Sequence, residues 1–199
     1  VIRGQLIFKK EGEIFITHID SKRDDFAKED YKALPEGAPF ELINGKLIYM
    51  ASPKNPHQNA SINLSTFLNA YVKKNKLGKV RAAPFDVYFS DENIFQPDLL
   101  FISNARLEIL RDYVYGAPDF VVEIISKGTK TTDEGEKMEV YGQKGVKEYW
   151  LIDPISETLE VFENQDGTMV FQQIIEKSGE VKSVSVEGFS VNIQDIFED

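Results

Sequence analysis

Apolar positions recur at helical spacing in two segments of the chain. In HQNASINLSTFLNAYVKKNKLG the spacing predicts an amphipathic helix, with lysines in its last turn and Gly78 placed to end it. TTDEGEKMEVYGQKG predicts a second helix, capped by Asp133 or a neighbouring threonine, with Glu136 in a capping box and Gly145 at its end. KVRAAPFDVYFS, QPDLLFIS and FVVEIIS predict three strands between the helices, and KEYWLIDP predicts a strand after them. The expected central order is therefore helix, three strands, helix, strand.

The N-terminal part of the chain shows the alternation of hairpins. Residues 5–19 alternate around Glu11-Gly12 and predict one hairpin, and SKRDDFAKED predicts a polar connection into a short helix. Asn44-Gly45 between two apolar segments is the strongest short-range hairpin signal in the chain.

The C-terminal part, from TLEVF to the end of SVNI, predicts strands around Asp166-Gly167 and Ser178-Gly179. The chain shows no repeat, low-complexity tract or linker. We therefore expect a single α+β domain over residues 26–199, with residues 1–25 as a hairpin appendage.

Composition narrows the classes of protein. The chain has 199 residues, of which 42% are hydrophobic, and it contains no apolar run long enough to span a membrane. The absence of cysteine excludes disulfides and thiolate metal sites, and it favours a cytoplasmic location. Two histidines are too few for a multi-histidine zinc site. Any metal would be held mainly by carboxylates, which suits Mg²⁺ or Mn²⁺.

The formal charge is 23 − 33 = −10. This charge argues against indiscriminate binding of nucleic acid, because the phosphate backbone is recognised by positive surfaces. It leaves room for a local basic groove, or for a cluster of acids that holds cations.

Glu123 lies in the middle of the apolar run FVVEII, where an ionised carboxylate is costly unless it is paired. Three arrangements satisfy it: an edge strand facing water, an ion pair with a buried Lys or Arg, or a functional site. A second acid, Asp98, stands at the start of the preceding strand in QPDLLFI. Adjacent strands would bring both acids to one end of the sheet, where a cation would turn their repulsion into coordination.

Pro97-Asp98 followed by Glu123, at 123 − 98 = 25 residues, resembles the PD-(D/E)XK nuclease superfamily in this order of elements. A second candidate for the first acid is Pro118-Asp119. The chain more closely resembles the Uma-two family of putative restriction endonucleases, formerly a domain of unknown function. The matching segments are LPEGAPFELINGKLI, SPKNPHQNASINL, QPDLLFI, VVEIIS and KMEVYGQKGVKEYWLIDP. The resemblance implies a restriction-endonuclease-like fold.

The superfamily usually places a lysine two residues after the glutamate, where this chain has Ile125. The resemblance to the closer family implies that Lys137, in the following helix, supplies the ammonium. Lys127 and Lys130 are nearer in the chain and remain alternatives, and a solvated lysine on a helix is the plain structural alternative for Lys137.

Three other positions have both a functional and a structural interpretation. By resemblance, Glu41 helps to hold the metal or its waters; as a plain surface residue it would pair across the hairpin with Lys46. His57 matches a family position near a helix N-terminus and could contact phosphate, or serve as a structural histidine. Tyr141, one turn after Lys137, is expected in the core with a bonded hydroxyl.

These expectations describe a Mg²⁺- or Mn²⁺-dependent endonuclease acting on DNA. Asp98, Glu123 and Glu41 would hold the metal with a backbone carbonyl near Ile124, and Lys137 would orient the attacking water. The carbonyl, the DNA and a homodimer come from the resemblance. Two alternatives stay open: a catalytically silent nuclease-fold module for binding or assembly, and an enzyme acting on a small phosphorylated substrate.

Overall fold

A six-stranded mixed sheet forms the centre of the computed structural model, which describes residues 5–10, 13–18, 24–126 and 133–198. Its two middle strands are parallel, and every other neighbouring pair is antiparallel. Across the sheet the strands are β13 (Thr168–Glu176), β12 (Thr158–Gln165), β11 (Glu148–Asp153), β10 (Phe120–Ile124), β8 (Leu99–Ser103) and β5 (Gly78–Ala82).

Three smaller sheets accompany the central one in the described ranges. The five-stranded sheet contains, in spatial order, β4 (Lys46–Tyr49), β3 (Phe40–Ile43), β7 (Ile94–Phe95), β6 (Val87–Tyr88) and β9 (Val114–Tyr115). The two-stranded sheets pair β1 (Gln5–Lys10) with β2 (Glu13–His18), and β14 (Glu180–Lys182) with β15 (Ser190–Asn192).

The helices lie between and after the strands. They are α1 (Lys28–Lys32), α2 (Asn55–Asn75), α3 (Met138–Lys144) and α4 (Ile193–Phe197), with a 3₁₀ helix at Asn104–Ile109 and a π-helical turn at Asp133–Lys137. Among the described residues, no helix combines the length and apolar character that crossing a membrane requires.

The predicted α+β class is confirmed, and α2, β5, β8, β10, α3 and β11 occur in the predicted order, with β6, β7 and β9 of the five-stranded sheet between them. The prediction of one strand over KVRAAPFDVYFS is wrong, because this segment forms β5 and β6, which belong to different sheets. The helix ends differ in one detail. α2 ends at Asn75 and is capped by Lys76 in the left-handed conformation, with φ of 56°, so Gly78 does not end it. Gly78 instead begins β5, where a Cβ atom would collide with the carbonyl oxygen of Ile102. The glycine is required by the close approach of the two strands.

The start of the second helix also differs from the prediction. α3 begins at Met138 with Lys137 as its N-cap, and Asp133 lies at the start of the π-helical turn. Glu136 accepts a hydrogen bond from Asn44 Nδ2 at 3.3 Å, and the threonines proposed as caps lie outside the described residues. Gly145 ends the helix in the left-handed region, as predicted, with φ of 89°.

The hairpin predictions hold where the structure describes them. Asn44 and Gly45 have φ values of 47° and 74°, which fits the two positive φ angles of a type I′ turn. β1 pairs with β2, although Glu11-Gly12 between them lies outside the described residues. The expectation of strands through SVNI is wrong at its end, because Asn192 caps α4 by accepting a hydrogen bond from the backbone N–H of Gln194.

Hydrophobic cores lie on both faces of the central sheet. On one face Phe120, Val122 and Ile124 of β10 pack with Leu64 and Leu68 of α2. Side chains alternate along a strand, so the intervening positions of β10 point to the opposite face. There Val121 packs in a core that includes Tyr141 of α3, and Glu123 shares that face.

Candidate functional site

Asp98 and Glu123 meet at one end of the paired strands β8 and β10. β8 and β10 run antiparallel with Leu99 opposite Val122, so one further step of this register sets Asp98 opposite Glu123. Oδ2 of Asp98 accepts a hydrogen bond of 2.7 Å from the backbone N–H of Ile124. This bond ties the start of one strand to the end of the next and fixes the two acids as neighbours, as the sequence predicts.

Glu123 is buried and bonded through its carboxylate. Its strand lies between β8 and β11, so the edge-strand interpretation is wrong. Oε1 accepts hydrogen bonds from Lys137 Nζ at 3.0 Å and from the Tyr141 hydroxyl at 2.5 Å. The ion pair with a buried basic residue is therefore present, and its partner is the lysine that the family resemblance nominates.

Lys137 bridges two acids. Its Nζ lies 2.8 Å from Oε2 of Glu41 and 3.0 Å from Oε1 of Glu123, and 5.8 Å from the ring centre of Phe95. Only 4% of Lys137 is exposed, so it is not a solvated helical lysine. A side chain from the turn before α3 thus reaches the pocket beside β10. The alternatives Lys127 and Lys130 lie outside the described residues.

Glu41 belongs to this cluster and not to the protein surface. It is 3% exposed, and Oε1 accepts a hydrogen bond of 2.7 Å from the backbone N–H of Gln96. In the hairpin Glu41 lies opposite Ile48, whereas Lys46 lies opposite Ile43. The predicted surface pair with Lys46 is therefore wrong.

His57 is the third residue of α2 and reaches the same place. Its Nε2 lies 3.3 Å from Oδ2 of Asp98, and the side chain is nearly buried. This contact holds the Asp98 carboxylate from the helix side, while Ile124 holds it from the strand side. The structural and the phosphate-contacting interpretations of His57 are both compatible with this position.

Tyr141 is fully buried one turn after Lys137, with its hydroxyl bonded, as predicted. Burial raises the pKa of its phenol well above the ordinary value, and the negative charges of Glu123 and Glu41 raise it further. The hydroxyl therefore stays protonated and acts as a donor to the Glu123 carboxylate.

A cavity of about 380 Å³ joins these groups. The candidate site residues that line it are Glu41, His57, Asp98, Glu123 and Lys137. Further polar side chains in its wall, to which the sequence analysis assigns no role, are Ser52, Gln58, Ser61, Gln96 and Ser126. Of these five residues, only Gln96 could have been selected from the sequence, because it directly precedes Pro97-Asp98.

Gln96 connects the cavity to a second polar cluster. Its backbone N–H holds Glu41, and its side-chain Nε2 donates to Asp86 Oδ1 at 2.8 Å and to the Tyr31 hydroxyl at 3.2 Å. The Tyr31 hydroxyl itself donates to Asp86 Oδ1 at 3.0 Å. Gln96 therefore links Glu41 of β3 to Asp86 and Tyr31.

The rival acid, Asp119, lies at the opposite end of β10. Lys147 Nζ and Arg106 lie 2.6 Å and 3.3 Å from its Oδ1, and the backbone N–H of Ser103 donates to Oδ2 at 2.8 Å. Burial by itself would raise the pKa of Asp119, but these hydrogen bonds hold that pKa below its ordinary value. Asp119 serves as an anchor between strands, away from the cavity.

The donor set of the cavity suits a hard cation. Three carboxylates face one ammonium, so with His57 neutral the cluster carries a formal charge of −3 + 1 = −2. Oδ1 of Asp98 accepts no hydrogen bond from the described part of the chain. The described residues contain no group of three or more acids and histidines arranged to hold a metal. Mg²⁺, however, is commonly bound by one or two carboxylates, with waters and substrate phosphate completing its shell.

Comparisons with known proteins identify the family and the fold of the chain. The family model described as "Uma2: Putative restriction endonuclease" matches residues 28–194. A solved structure of a "putative nuclease belonging to DUF820" from Anabaena variabilis is 22% identical, with a TM-score of 0.72. That match covers 86% of this chain and 97% of the other, and at this identity it shows the fold alone. No curated protein matches the chain.

The fold predicted from the resemblance, restriction-endonuclease-like with extra strands, is confirmed by the structural match. The segments that carry the resemblance supply β3, α2, β8, β10 and α3, which are the elements that build the cavity. The family match spans all of them. The protein belongs to the Uma2 family, which is described as "Putative restriction endonuclease".

Proposed function

We propose that this protein is a metal-dependent endonuclease of the PD-(D/E)XK type that hydrolyses phosphodiester bonds in DNA. One observation carries the proposal: Asp98, Glu123 and Lys137 come from three separate segments of the chain and line one cavity at the ends of the central strands. Structural ion pairs need no cavity, whereas a reacting phosphate needs space beside the charged groups.

Asp98 and Glu123 are the residues that would hold Mg²⁺ or Mn²⁺, with the carbonyl of Ile124 close by and Glu41 holding the metal or its waters. When bound, such an ion polarises a phosphate oxygen and lowers the pKa of a coordinated water. Asp98 offers Oδ1 for this purpose, since its Oδ2 is already engaged by Ile124 and His57.

The chain's own groups supply orientation and charge. The Lys137 ammonium would stabilise the negative charge that develops on the phosphate, or orient the attacking water. Tyr141 fixes the Glu123 carboxylate through its hydroxyl. His57 and the N-terminal turn of α2 lie in the cavity wall, where backbone N–H groups favour an anion such as the phosphate.

DNA as the substrate rests on the family and not on the charge of the chain, which is −10. Binding would depend on local contacts around the cavity, because a negative protein gains little from long-range attraction to phosphate. A homodimer, as expected from the resemblance, would let each copy cut one strand of a duplex.

The decisive experiment compares native protein with Asp98→Ala, Glu123→Ala and Lys137→Ala on circular DNA in Mg²⁺, Mn²⁺ and EDTA. Each variant should lose about 100-fold or more in metal-dependent cleavage, because each removes a group that acts on the transition state. Phe171→Ala, an exposed position on β13, is the matched control and should cleave normally. Circular dichroism verifies that each variant is folded.

Full activity of Lys137→Ala would remove that lysine from the mechanism. Full activity of the Asp98 or Glu123 variant would reject the proposed metal site. Cleavage of small phosphodiesters with no cleavage of any DNA would favour the alternative enzyme on a small phosphorylated substrate.

The silent nuclease-fold module is favoured by a different observation. Lys137 already neutralises part of the charge of Glu41 and Glu123 without a metal. Titration of Mg²⁺ by calorimetry, into native protein and Glu123→Gln, separates the two functions. Equal, weak binding by both proteins would support the silent module, whereas binding that Glu123→Gln abolishes would support the nuclease.

A further inference from the structure

A row of aromatic rings with an arginine at each end lies along the five-stranded sheet, which we call the small sheet. We call this the aromatic row. Its members, in spatial order, are Arg81, Phe85, Tyr113, Tyr88, Tyr115 and Arg111. Successive ring centres are 6.3, 5.6 and 5.1 Å apart, and the arginines lie over the terminal rings at 5.8 and 5.6 Å.

Part of the aromatic row is open to solvent. Tyr113 and Tyr115 are 37% and 39% exposed, whereas Tyr88, which lies between them, is 7% exposed. β9, which carries Tyr115, is the edge strand of the five-stranded sheet. This surface therefore keeps aromatic area exposed at an edge that no other described strand covers.

The arginines make the row distinctive in so acidic a chain. The described side chains include three arginines, of which Arg106 is paired with Asp119. Arg81 and Arg111 form no ion pair within the described part of the chain. Arg81 donates one N–H to the carbonyl oxygen of Val80 at 2.8 Å, and the other N–H groups at the edges of the two guanidinium groups suit a phosphate.

The aromatic row begins at the wall of the cavity. Pro84, which directly precedes Phe85, lines the cavity, and the neighbouring Ala83 donates its N–H to the carbonyl of Asp98 at 3.0 Å. Gln96, also in the cavity wall, holds Asp86 between Phe85 and the β6 strand. A chain bound along the row would thus reach the acids of the site.

We propose that the aromatic row binds a single-stranded segment of nucleic acid and leads it to the cavity; this rests on the proposed nuclease function. Bases of a single strand expose faces that stack on aromatic side chains, and arginines contact the backbone phosphates. In a duplex those faces are buried in the base stack, so the row discriminates against it. The substrate class is therefore DNA with a single-stranded segment.

Acids near the row limit how it binds. Asp86, Glu36 and Asp112 approach Tyr113, and together with burial, the larger cause, they raise the pKa of this tyrosine. Asp86 is engaged by Tyr31 and Gln96. Phosphates are therefore contacted at the two arginine ends, while bases stack on the exposed rings of Tyr113 and Tyr115.

The test is fluorescence anisotropy in EDTA, where hydrolysis does not interfere, with a labelled 20-nucleotide strand and its duplex as probes. Tyr115→Leu keeps an apolar side chain without the ring and should weaken single-strand binding about tenfold, with unchanged salt dependence. Arg111→Gln should weaken binding and reduce the slope of log K against log salt by about 0.7. Phe171→Leu and Lys74→Gln, which remove a ring and a positive charge elsewhere on the exposed surface, are the matched controls and should bind normally.

Three results would overturn the proposal: both row variants binding like native protein, the duplex binding as tightly as the single strand, or Tyr115→Leu changing the mass of the protein in solution. The last result would make the row a contact between copies. Loss of binding in the row variants of a protein that cleaves no DNA would uphold the surface and reject the nuclease. DNA cleavage by the native protein, together with unchanged binding by the row variants, would support the nuclease and reject the aromatic row as a binding surface.

Discussion

At the scale of the residue, Lys137 explains how the fold tolerates two buried carboxylates. Glu41 and Glu123 are each 3% exposed, and the ammonium lies within 3.0 Å of both. Removing one member of a buried ion pair costs about 3–5 kcal/mol, because the remaining charge stays buried without compensation. The lysine proposed for catalysis is therefore also the counter-ion of the site.

We predict that Lys137→Met lowers the free energy of unfolding by about 3–5 kcal/mol in EDTA. If the same carboxylates hold a divalent ion, Mg²⁺ should then raise the thermal midpoint of Lys137→Met more than that of native protein, since the ion replaces the missing charge. Thermal unfolding followed by circular dichroism, with and without Mg²⁺, measures both effects.

Lys147→Met provides the matched control. This lysine also pairs with a buried acid, but 59% of its side chain is exposed and Arg106 still contacts Asp119 after its removal. The variant should lose about 1 kcal/mol or less and should show no response to Mg²⁺ beyond that of native protein. Equal losses in the two variants would contradict the special role of Lys137.

At the scale of the element, the turn before α3 determines which lysine enters the site. β10 ends at Ile124, so position 125, where the superfamily usually has its lysine, lies just past the strand. Ile125 contributes its N–H to the carbonyl of Ile152. The π-helical turn Asp133–Lys137 ends at the lysine, and the side chain enters the pocket from the helix side.

The buried acid Glu148 holds the segment after β14 in place. Glu148, at the start of β11, accepts hydrogen bonds from Trp150 Nε1 at 2.8 Å, Ser183 Oγ at 2.6 Å and the Ser185 N–H at 2.8 Å. It thereby ties the segment after β14 to the central sheet. Burial raises the pKa of Glu148, although these donors oppose the shift.

We predict that Glu148 makes the protein less stable as pH rises. Its pKa in the folded state is above the ordinary value of 4.5, so its favourable contribution is present below 4.5 and is lost as pH rises through the folded pKa. The stability of native protein relative to Glu148→Gln should fall in this window, by at most about 1.4 kcal/mol per pH unit. Urea unfolding of both proteins across this range measures the difference.

Taking the difference between the two proteins cancels the titration of other groups, such as Asp119, whose lowered pKa has the opposite effect. A difference that stays constant with pH would show that the folded protein does not shift Glu148. A difference that rises with pH would show that folding lowers the pKa of Glu148 instead of raising it.

At the scale of the whole molecule, two cores share the same strands. β10 contributes Val122 to the core on the α2 face and Val121 to the core on the α3 face. Ile43 and Phe95 of the small sheet pack into the second of these cores. Loss of the central sheet therefore removes both cores and the support of the small sheet together.

We predict that the central and small sheets unfold in one cooperative step. Trp150, the only tryptophan, is fully buried on β11 and reports on the central sheet, whereas far-ultraviolet circular dichroism reports on all elements. The two signals should give coincident urea transitions. A tryptophan transition at distinctly higher urea than the dichroism transition would show that the small sheet unfolds first.

Much of this protein follows from local sequence. The order of α2, three strands, α3 and β11 follows from apolar periodicity, and Asn44-Gly45 and Gly145 mark turns through positive φ angles. The proximity of Asp98 and Glu123 could be predicted in the same way, because Asp98 precedes one apolar strand and Glu123 interrupts another. These signals depend on residues close together in the chain, so they can be read without knowing how the helices and strands are arranged in space.

Only the tertiary structure decided how the site is completed. Glu41 and Lys137 are 96 positions apart in the chain, and no local pattern reveals that they share a buried ion pair with Glu123. The aromatic row likewise depends on the pairing of β6 with β9, which sets Tyr88 opposite Tyr115 although the two residues are far apart in the chain. Such contacts depend on the relative placement of elements, which the packing of both faces of the sheet determines, and burial there gives the charges their strength.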